Sequence, residues 1–168
     1  MDTTIVSRRI VVATFTGGID MGLLGKFLGN KPAKAPTDDV LLLHSIFCMA
    51  AADGSIEDSE DEMIRAYANT LPEFRDMDGN EFNKAMEASI KIAHKYNRDM
   101  KSSLVVLNEI QSDAVRKKAF VLAVDIAMSS GDVDESEEEM LEAMQRILRI
   151  DDALANKVLE VISLKYVK

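Results

Sequence analysis

The sequence predicts an all-α fold: a compact bundle of about seven helices built from two related helix-turn-helix halves. Apolar residues recur with the 3.6-residue period of an α-helix through most of residues 38–168. With 47% hydrophobic and 29% charged residues, the chain has the composition of a folded soluble domain. A short acidic passage also occurs twice, each time between two helical segments. These patterns indicate one helical domain with an internal repeat.

The repeated passage covers residues 51–64 and 129–141. Moving the first copy forward by 77 positions places Gly54 on Gly131 and Glu60 on Glu137 without a gap. The other matched pairs are Ile56 and Val133, Ser59 and Ser136, Glu62 and Glu139, Met63 and Met140, and Leu71 and Leu148. Because each copy follows an apolar helix and begins an amphipathic one, the repeat indicates duplication of a helix-turn-helix unit.

Residues 1–37 are predicted to be an N-terminal leader and linker. Residues 10–15 are β-prone and end at a Gly-Gly pair, while Pro32 and Pro36 mark the linker. Residues 20–29 form a short amphipathic patch. Two interpretations stay open for this patch: a helix that caps the core, or a weak contact with a membrane or a partner.

The helical domain is predicted to cover residues 38–168. Its seven helices are expected at 40–52, 58–70, 80–96, 101–110, 113–130, 135–149 and 153–164. The first and fifth helices are apolar nearly all round, so we expect them to be central and buried. Gly54 and Gly131 follow these two helices, where a glycine in the left-handed conformation commonly ends a helix.

Charge is distributed unevenly along the chain, whose net charge is -9. Residues 1–37 hold five basic and two acidic residues, whereas residues 38–168 hold 15 basic and 27 acidic ones. The body therefore repels nucleic acid phosphates, and no basic stripe offers a binding surface for them. Cations or basic protein surfaces are the expected partners.

The sequence predicts neither a disulfide nor a membrane span. Cys48 is the only cysteine and lies among apolar residues, which favours a small buried side chain over a reactive thiol. No stretch approaches the roughly 18 apolar residues that a transmembrane helix requires. The apolar run at residues 10–13 is too short for a signal peptide. We therefore expect a cytoplasmic protein.

The two acidic turns have a structural explanation that requires no ligand. Asp134 and Glu137 fit a capping box, in which Asp134 is the N-cap and Glu137 reaches back to its backbone amide. Glu57 and Glu60 form a poorer version of this motif. Acids in a first turn also interact favourably with the helix dipole, by about 0.3–1 kcal/mol each. Val133 is placed to act as an apolar plug at its turn.

The density of acidic residues exceeds what capping requires. Residues 57–62 hold five acids in six positions, and residues 132–139 hold six in eight. Clustered carboxylates supply the oxygen ligands that Ca²⁺ and Mg²⁺ prefer. Neither turn is an EF-hand, because the loop positions that need Gly and the final Glu hold other residues. The candidate ligands of a divalent cation are Asp53, Glu57, Glu60, Asp132, Asp134 and Glu137.

Catalytic motifs are missing from the sequence. It contains no nucleophile elbow, no phosphate-binding glycine loop and no His-Glu metal motif. His44 lies on an apolar helix and is expected to be a core residue. His94 has basic neighbours and is expected to be exposed. The sequence therefore predicts a protein that is not an enzyme.

With its helices in this order, the chain resembles the TerB-like family, the small helical proteins of bacterial tellurite-resistance operons. The resemblance depends on a turn of the Ala-Asp-Gly-x-Val-x-x-x-Glu type in each half. It is present here as residues 52–56 with Glu60, and as residues 131–133 with Glu137. The second half then ends in Leu148-Arg149-Ile150, close to the family's Leu-Gly-hydrophobic ending. The resemblance covers residues 38–164.

This resemblance implies a compact helical domain of two related halves, with no known catalytic activity, in the cytoplasm or at the membrane periphery. It implies a role in resistance to tellurite and other stresses, alongside membrane and Ca²⁺-binding partner proteins. By position, its metal-binding acids would be Asp53 and Glu60 in the first turn and Glu137 in the second. Ser130 stands where the family has a second Asp, and the two aspartates that follow it are candidates to replace it.

Two functions from different classes remain open at this stage. In the first, the chain is a non-enzymatic TerB-like protein of tellurite and stress resistance whose acidic surface binds divalent cations. In the second, it is a metal-independent interaction module that docks a basic partner protein through its acidic face.

Overall fold

In a computed structural model of the chain, the structure describes residues 35–52, 64–66, 68–129 and 131–167. The all-α prediction is confirmed, because these residues form helices joined by turns and include no β-strand. The helices belong to one compact unit, Pro36–Lys168. The expectations for residues 10–15 and 20–29 lie outside the described residues.

Seven α-helices and one 3-10 helix form in the described part of the chain. They are α1 (Asp38–Ala50), α2 (Pro72–Arg75), α3 (Gly79–Lys95), α4 (Met100–Ser103), the 3-10 helix (Leu104–Glu109), α5 (Asp113–Ser129), α6 (Glu135–Leu148) and α7 (Asp152–Tyr166). Residues 64–66 and 68–70 are helical as well. Five predicted helices agree with α1, α3, α5, α6 and α7 to within two residues at each end. None of these helices has the length and hydropathy that crossing a bilayer requires.

The prediction of one α-helix over residues 101–110 is wrong. Only Met100–Ser103 is α-helical, and the chain continues as a 3-10 helix. Leu104, Leu107 and Ile110 are all fully buried, at a spacing of three residues. Because a 3-10 helix has three residues per turn, it places all three on one face. The 3-10 conformation therefore buries the whole apolar set of this segment.

The core is built around α1, as the sequence predicts. Every residue from Leu41 to Met49 is buried. This helix packs against α3 and α5, and α5 in turn packs against α6 and α7. The second central helix, α5, is buried continuously from Leu122 to Ala127. Each of these helices has packing partners on several sides, which explains why its sequence is apolar nearly all round.

The two central helices run side by side in the same direction. At their N-terminal ends, the Asp38 carboxylate accepts hydrogen bonds of 2.9 and 2.8 Å from the backbone amides of Gln111 and Ser112. At the opposite end, Ala52, which follows α1, shares a cavity with Ser136 in the first turn of α6. Since α6 begins where α5 ends, the C-terminal ends of α1 and α5 lie at one end of the bundle.

Two later residues, Glu73 and Asp151, lie near the N-terminal ends of the central helices α1 and α5. Glu73 in α2 lies near Asp39, and burial together with this second carboxylate raises the pKa of Asp39. Lys118 of α5 donates a hydrogen bond to Glu73. Asp151, which follows α6, interacts electrostatically with Lys117 near the start of α5.

Candidate functional site

The second acidic corner, residues 129–137, lies between α5 and α6. Gly131 has a φ of 103°, which glycine adopts without the steric penalty that a Cβ would bring. Its backbone amide donates to the carbonyl of Met128, 3.3 Å away, near the end of α5. Gly131 thus has a positive φ after the helix, as the prediction of a glycine at this point requires. Gly54, its counterpart in the repeat, lies outside the described residues.

The predicted capping box at α6 is confirmed. Asp134 Oδ1 accepts a 2.9 Å hydrogen bond from the backbone amide of Glu137, and Glu137 Oε2 accepts one of 3.0 Å from the backbone amide of Asp134. Ser136 Oγ also donates to Asp134 Oδ1, at 2.7 Å. These hydrogen bonds, that from the Glu137 amide first, lower the pKa of Asp134. The carboxylate is thus held ionised at the helix N-terminus, where the helix dipole favours negative charge.

The expectation that Val133 is an apolar plug is wrong, because 38% of this side chain is exposed. Residues 131–135 are all exposed and turn away from the core. Val133 instead lines a surface groove beside Met128 and Leu141. The apolar residue at this corner therefore contributes to a surface feature and not to the core.

The first corner, with Asp53, Glu57 and Glu60, lies outside the described residues. A cavity of about 310 Å³ lies between Ala52, which precedes this corner in the sequence, and the first turns of α6. In this cavity Lys101 Nζ lies 2.5 Å from Glu139 Oε2, and the hydrogen bond from this lysine lowers the pKa of Glu139. Ala52, the last described residue before the first corner, therefore lies at the same end of the bundle as the start of α6.

A three-ligand metal site is not found within residues 35–52, 64–66, 68–129 and 131–167, searched for clusters of His, Cys, Asp and Glu. Asp132, Asp134 and Glu137 are all described and do not form such a cluster among themselves. A cation held at this corner would therefore need further ligands, either water or carboxylates of residues 53–63.

A different group of polar side chains is buried in the core between α1, α3 and α4. His44 is fully buried, as predicted, and its ring contacts Ser89 Oγ at 3.2 Å and Ser103 Oγ at 3.1 Å. Cys48 Sγ lies 3.3 Å from His44 Nε2, and burial raises the pKa of this thiol to about 12. A buried, protonated thiol is a poor nucleophile, so we assign this group a structural role. His94 is exposed, as expected.

Sequence reasoning missed the groove between α5, α6 and α7. Its volume is about 410 Å³. The apolar side chains that line it are Phe120, Val124, Met128, Val133, Leu141 and Leu159. Most of these residues belong to the apolar faces that the 3.6-residue period identifies. The one sequence signal for a surface role was Val133, an apolar residue inside an acidic run.

Comparison with known proteins identifies no relative. A scan against protein-family models finds no matching family, and searches among curated proteins and solved structures find no significant match. The resemblance to the TerB-like family therefore stays a prediction that depends on the motifs of the chain itself.

Proposed function

We propose that this protein is a non-enzymatic, TerB-like protein of tellurite and stress resistance, cytoplasmic or membrane-peripheral, whose acidic end binds divalent cations. The proposal also holds that its two helix-turn-helix halves arose by duplication. The observation that supports it best is the parallel packing of α1 and α5, which puts the C-terminal ends of both helices at one end of the bundle. Carboxylates from the two turns can then contribute to a shared site.

The chemistry of the second corner is compatible with a hard cation such as Ca²⁺ or Mg²⁺. Asp132, Asp134 and Glu137 offer carboxylate oxygens, the ligand type that both ions prefer. The two hydrogen bonds to the Asp134 side chain both end on Oδ1. Its Oδ2 can therefore coordinate a cation without breaking the cap. Asp53, Glu57 and Glu60 would supply the remaining ligands from the first turn.

A Ca²⁺ titration of the ¹⁵N-labelled full chain, followed by NMR, tests the proposal. We expect saturable shifts confined to residues 53–62 and 132–139. A double variant, Glu60→Ala with Glu137→Ala, should abolish them while the protein stays helical. The matched control, Glu87→Ala with Glu160→Ala, removes the same charge from exposed positions elsewhere and should leave binding intact. No saturable change up to millimolar Ca²⁺, Mg²⁺ or Mn²⁺ would exclude the cation function.

The second candidate is a metal-independent interaction module that docks a basic partner protein through its acidic face. The capping box favours it, because Asp134 and Glu137 already have structural roles that need no metal. Loss of the fold in the Glu60→Ala, Glu137→Ala double variant would support capping as the main role of these acids. Binding of a basic partner that persists in EDTA would support the interaction module directly.

A further inference from the structure

The groove between α5, α6 and α7 is lined by apolar side chains, some of which are open to solvent. Phe120 and Val124 form its buried part, whereas Val133 and Leu159 are 38% and 36% exposed. Its volume of about 410 Å³ lies within the range of roughly 300–1,000 Å³ found for ligand clefts. Exposed apolar surface that is grouped in a concavity marks a binding surface more often than scattered apolar residues do.

The rim of the groove is acidic. Glu138 and Glu142 of α6 line it, and none of the described residues that line it is basic. The nearest ion pair joins Glu142 to Arg146 at 3.9 Å, with both side chains more than 60% exposed. Such an exposed pair is weak in water, so Glu142 can exchange Arg146 for a cationic group of a ligand at little cost. The groove is therefore complementary to a ligand that is apolar on one side and positively charged at its edges.

Side-chain hydrogen bonds join α7, which forms one wall of the groove, to α5. Lys165 of α7 donates to both carboxylate oxygens of Asp125 in α5, at 2.7 and 2.8 Å. The Tyr166 hydroxyl donates to Asp125 Oδ1 at 2.8 Å. These contacts hold α7 against α5 and so keep Leu159 in position opposite α6. A preformed cleft binds its ligand without the entropic cost of ordering its own walls.

We propose that this groove binds a basic amphipathic helix of a partner protein. Apolar residues of that helix, spaced by three or four positions, would pack on Phe120, Met128 and Leu141, while its Lys or Arg residues would face Glu138 and Glu142. A cleft bounded by three helices fits a fourth helix, whose side-chain ridges pack into the grooves of its neighbours. A second copy of this chain is disfavoured, because two bodies of net charge -9 repel each other. The inference deepens the interaction-module function and does not depend on the cation site.

The test uses a model helix of about 14 Leu and Lys residues, long enough to become helical when it is bound. It is added to the full chain, with ¹³C-labelled methyl groups, in EDTA. We expect saturable shifts of the methyl signals of Met128, Val133, Leu141 and Leu159. A scrambled peptide of the same composition, which lacks an apolar face, should not produce them. Equal shifts with both peptides, or shifts spread over the whole surface, would overturn the proposal.

Two pairs of variants distinguish binding in the groove from nonspecific attraction between the acidic protein and the basic peptide. Leu159→Gln should weaken binding of the model helix by about tenfold, equivalent to about 1.4 kcal/mol. Its control, Leu164→Gln, changes a 69% exposed residue of the same helix outside the groove and should have little effect. Glu138→Lys should weaken binding more than Glu160→Lys, which makes the same charge change elsewhere. Equal losses within either pair would contradict the proposed site.

The outcomes also distinguish this inference from the cation function. Absence of peptide binding in a protein that still shows the Ca²⁺-dependent shifts would remove the groove proposal and leave the cation function standing. Peptide binding in EDTA with no response to Ca²⁺ would do the reverse. A dimer in light scattering that Leu159→Gln dissociates would show that a second copy occupies the groove, and would overturn the proposal. Circular dichroism of each variant confirms that it is folded.

Discussion

Acid should destabilise this protein at a pH where most carboxylates remain ionised, because of one buried histidine. His44 Nε2 lies 3.1 Å from Ser103 Oγ and 3.3 Å from Cys48 Sγ. Nδ1 lies 3.2 Å from Ser89 Oγ, so both ring nitrogens have a hydrogen-bonding partner whichever one carries the hydrogen. The neutral ring is thus fully hydrogen-bonded in the core. A second proton would create a buried charge that no described carboxylate neutralises.

The size of the effect follows from the two protonation equilibria. Burial lowers the pKa of His44 from 6.5 to about 4. Between these values the unfolded chain binds a proton that the folded protein does not, so the free energy of unfolding falls as the pH falls. The slope is about 1.4 kcal/mol per pH unit, which gives a loss of about 3 kcal/mol across the window. That is a large share of the roughly 5–15 kcal/mol by which a domain is stable.

Urea unfolding followed by circular dichroism, at pH values between about 7 and 4.5, measures this loss. His44→Gln removes the titration and keeps a side chain that can hydrogen-bond, so its stability should be lower at pH 7 but nearly independent of pH down to about 5. His94→Gln, which changes the exposed histidine, should keep the slope of the wild type. Equal slopes in the wild type and His44→Gln would refute the reasoning. If His44→Gln does not fold, an NMR titration of His44 in the wild type decides, since protonation near pH 6.5 would also refute it.

Three further predictions concern the helix ends. Arg149 ends α6 with a φ of 59°, so Arg149→Gly should raise the free energy of unfolding by about 0.5–1 kcal/mol; a decrease in urea unfolding would contradict this. Asp134→Ala should lower it by about 1 kcal/mol, and Asp134→Asn should restore most of the loss, because Asn is also a good N-cap; equal losses would show that the cap is not the cause. Asp38→Ala should cost roughly 1–3 kcal/mol and speed hydrogen exchange at the Ser112 amide, and unchanged exchange there would show that this bond is not formed.

Much of the fold was predictable because it depends on local patterns. A continuous apolar run made α1 recognisable as the central helix, and the 3.6-residue period located α3 and α6. The sequence also identified the cap formed by Asp134 and Glu137, since the motif spans only four residues. The 3-10 helix was missed because Leu104, Leu107 and Ile110 fit one face of an α-helix almost as well as one face of a 3-10 helix.

The groove could not be predicted in the same way. It depends on the distance between three helices, and no local pattern distinguishes an apolar residue that faces the core from one that lines a cleft. Leu141 and Leu148 both belong to the apolar face of α6, yet Leu148 is fully buried whereas Leu141 is only partly buried. Val133 was misjudged for a related reason, because the direction of a turn is set by the packing of the helices on either side.

The placement of charge links the two candidate functions. α1 and α5 end at the acidic corners, so the partial negative charges of both helix C-termini add to the carboxylates there. The partial positive charge at the N-terminus of α6 offsets only part of this negative charge, and it already interacts with Asp134 and Glu137 in the capping box. Glu139 pairs with Lys101 at 2.5 Å, whereas Glu138 has no partner among the ion pairs of the described residues. The negative charge that is not offset lies beside the apolar groove. A bound cation or a bound basic helix would each reduce the repulsion between these carboxylates. Competition between Ca²⁺ and the model helix would therefore indicate overlapping sites, and independent binding would indicate separate ones.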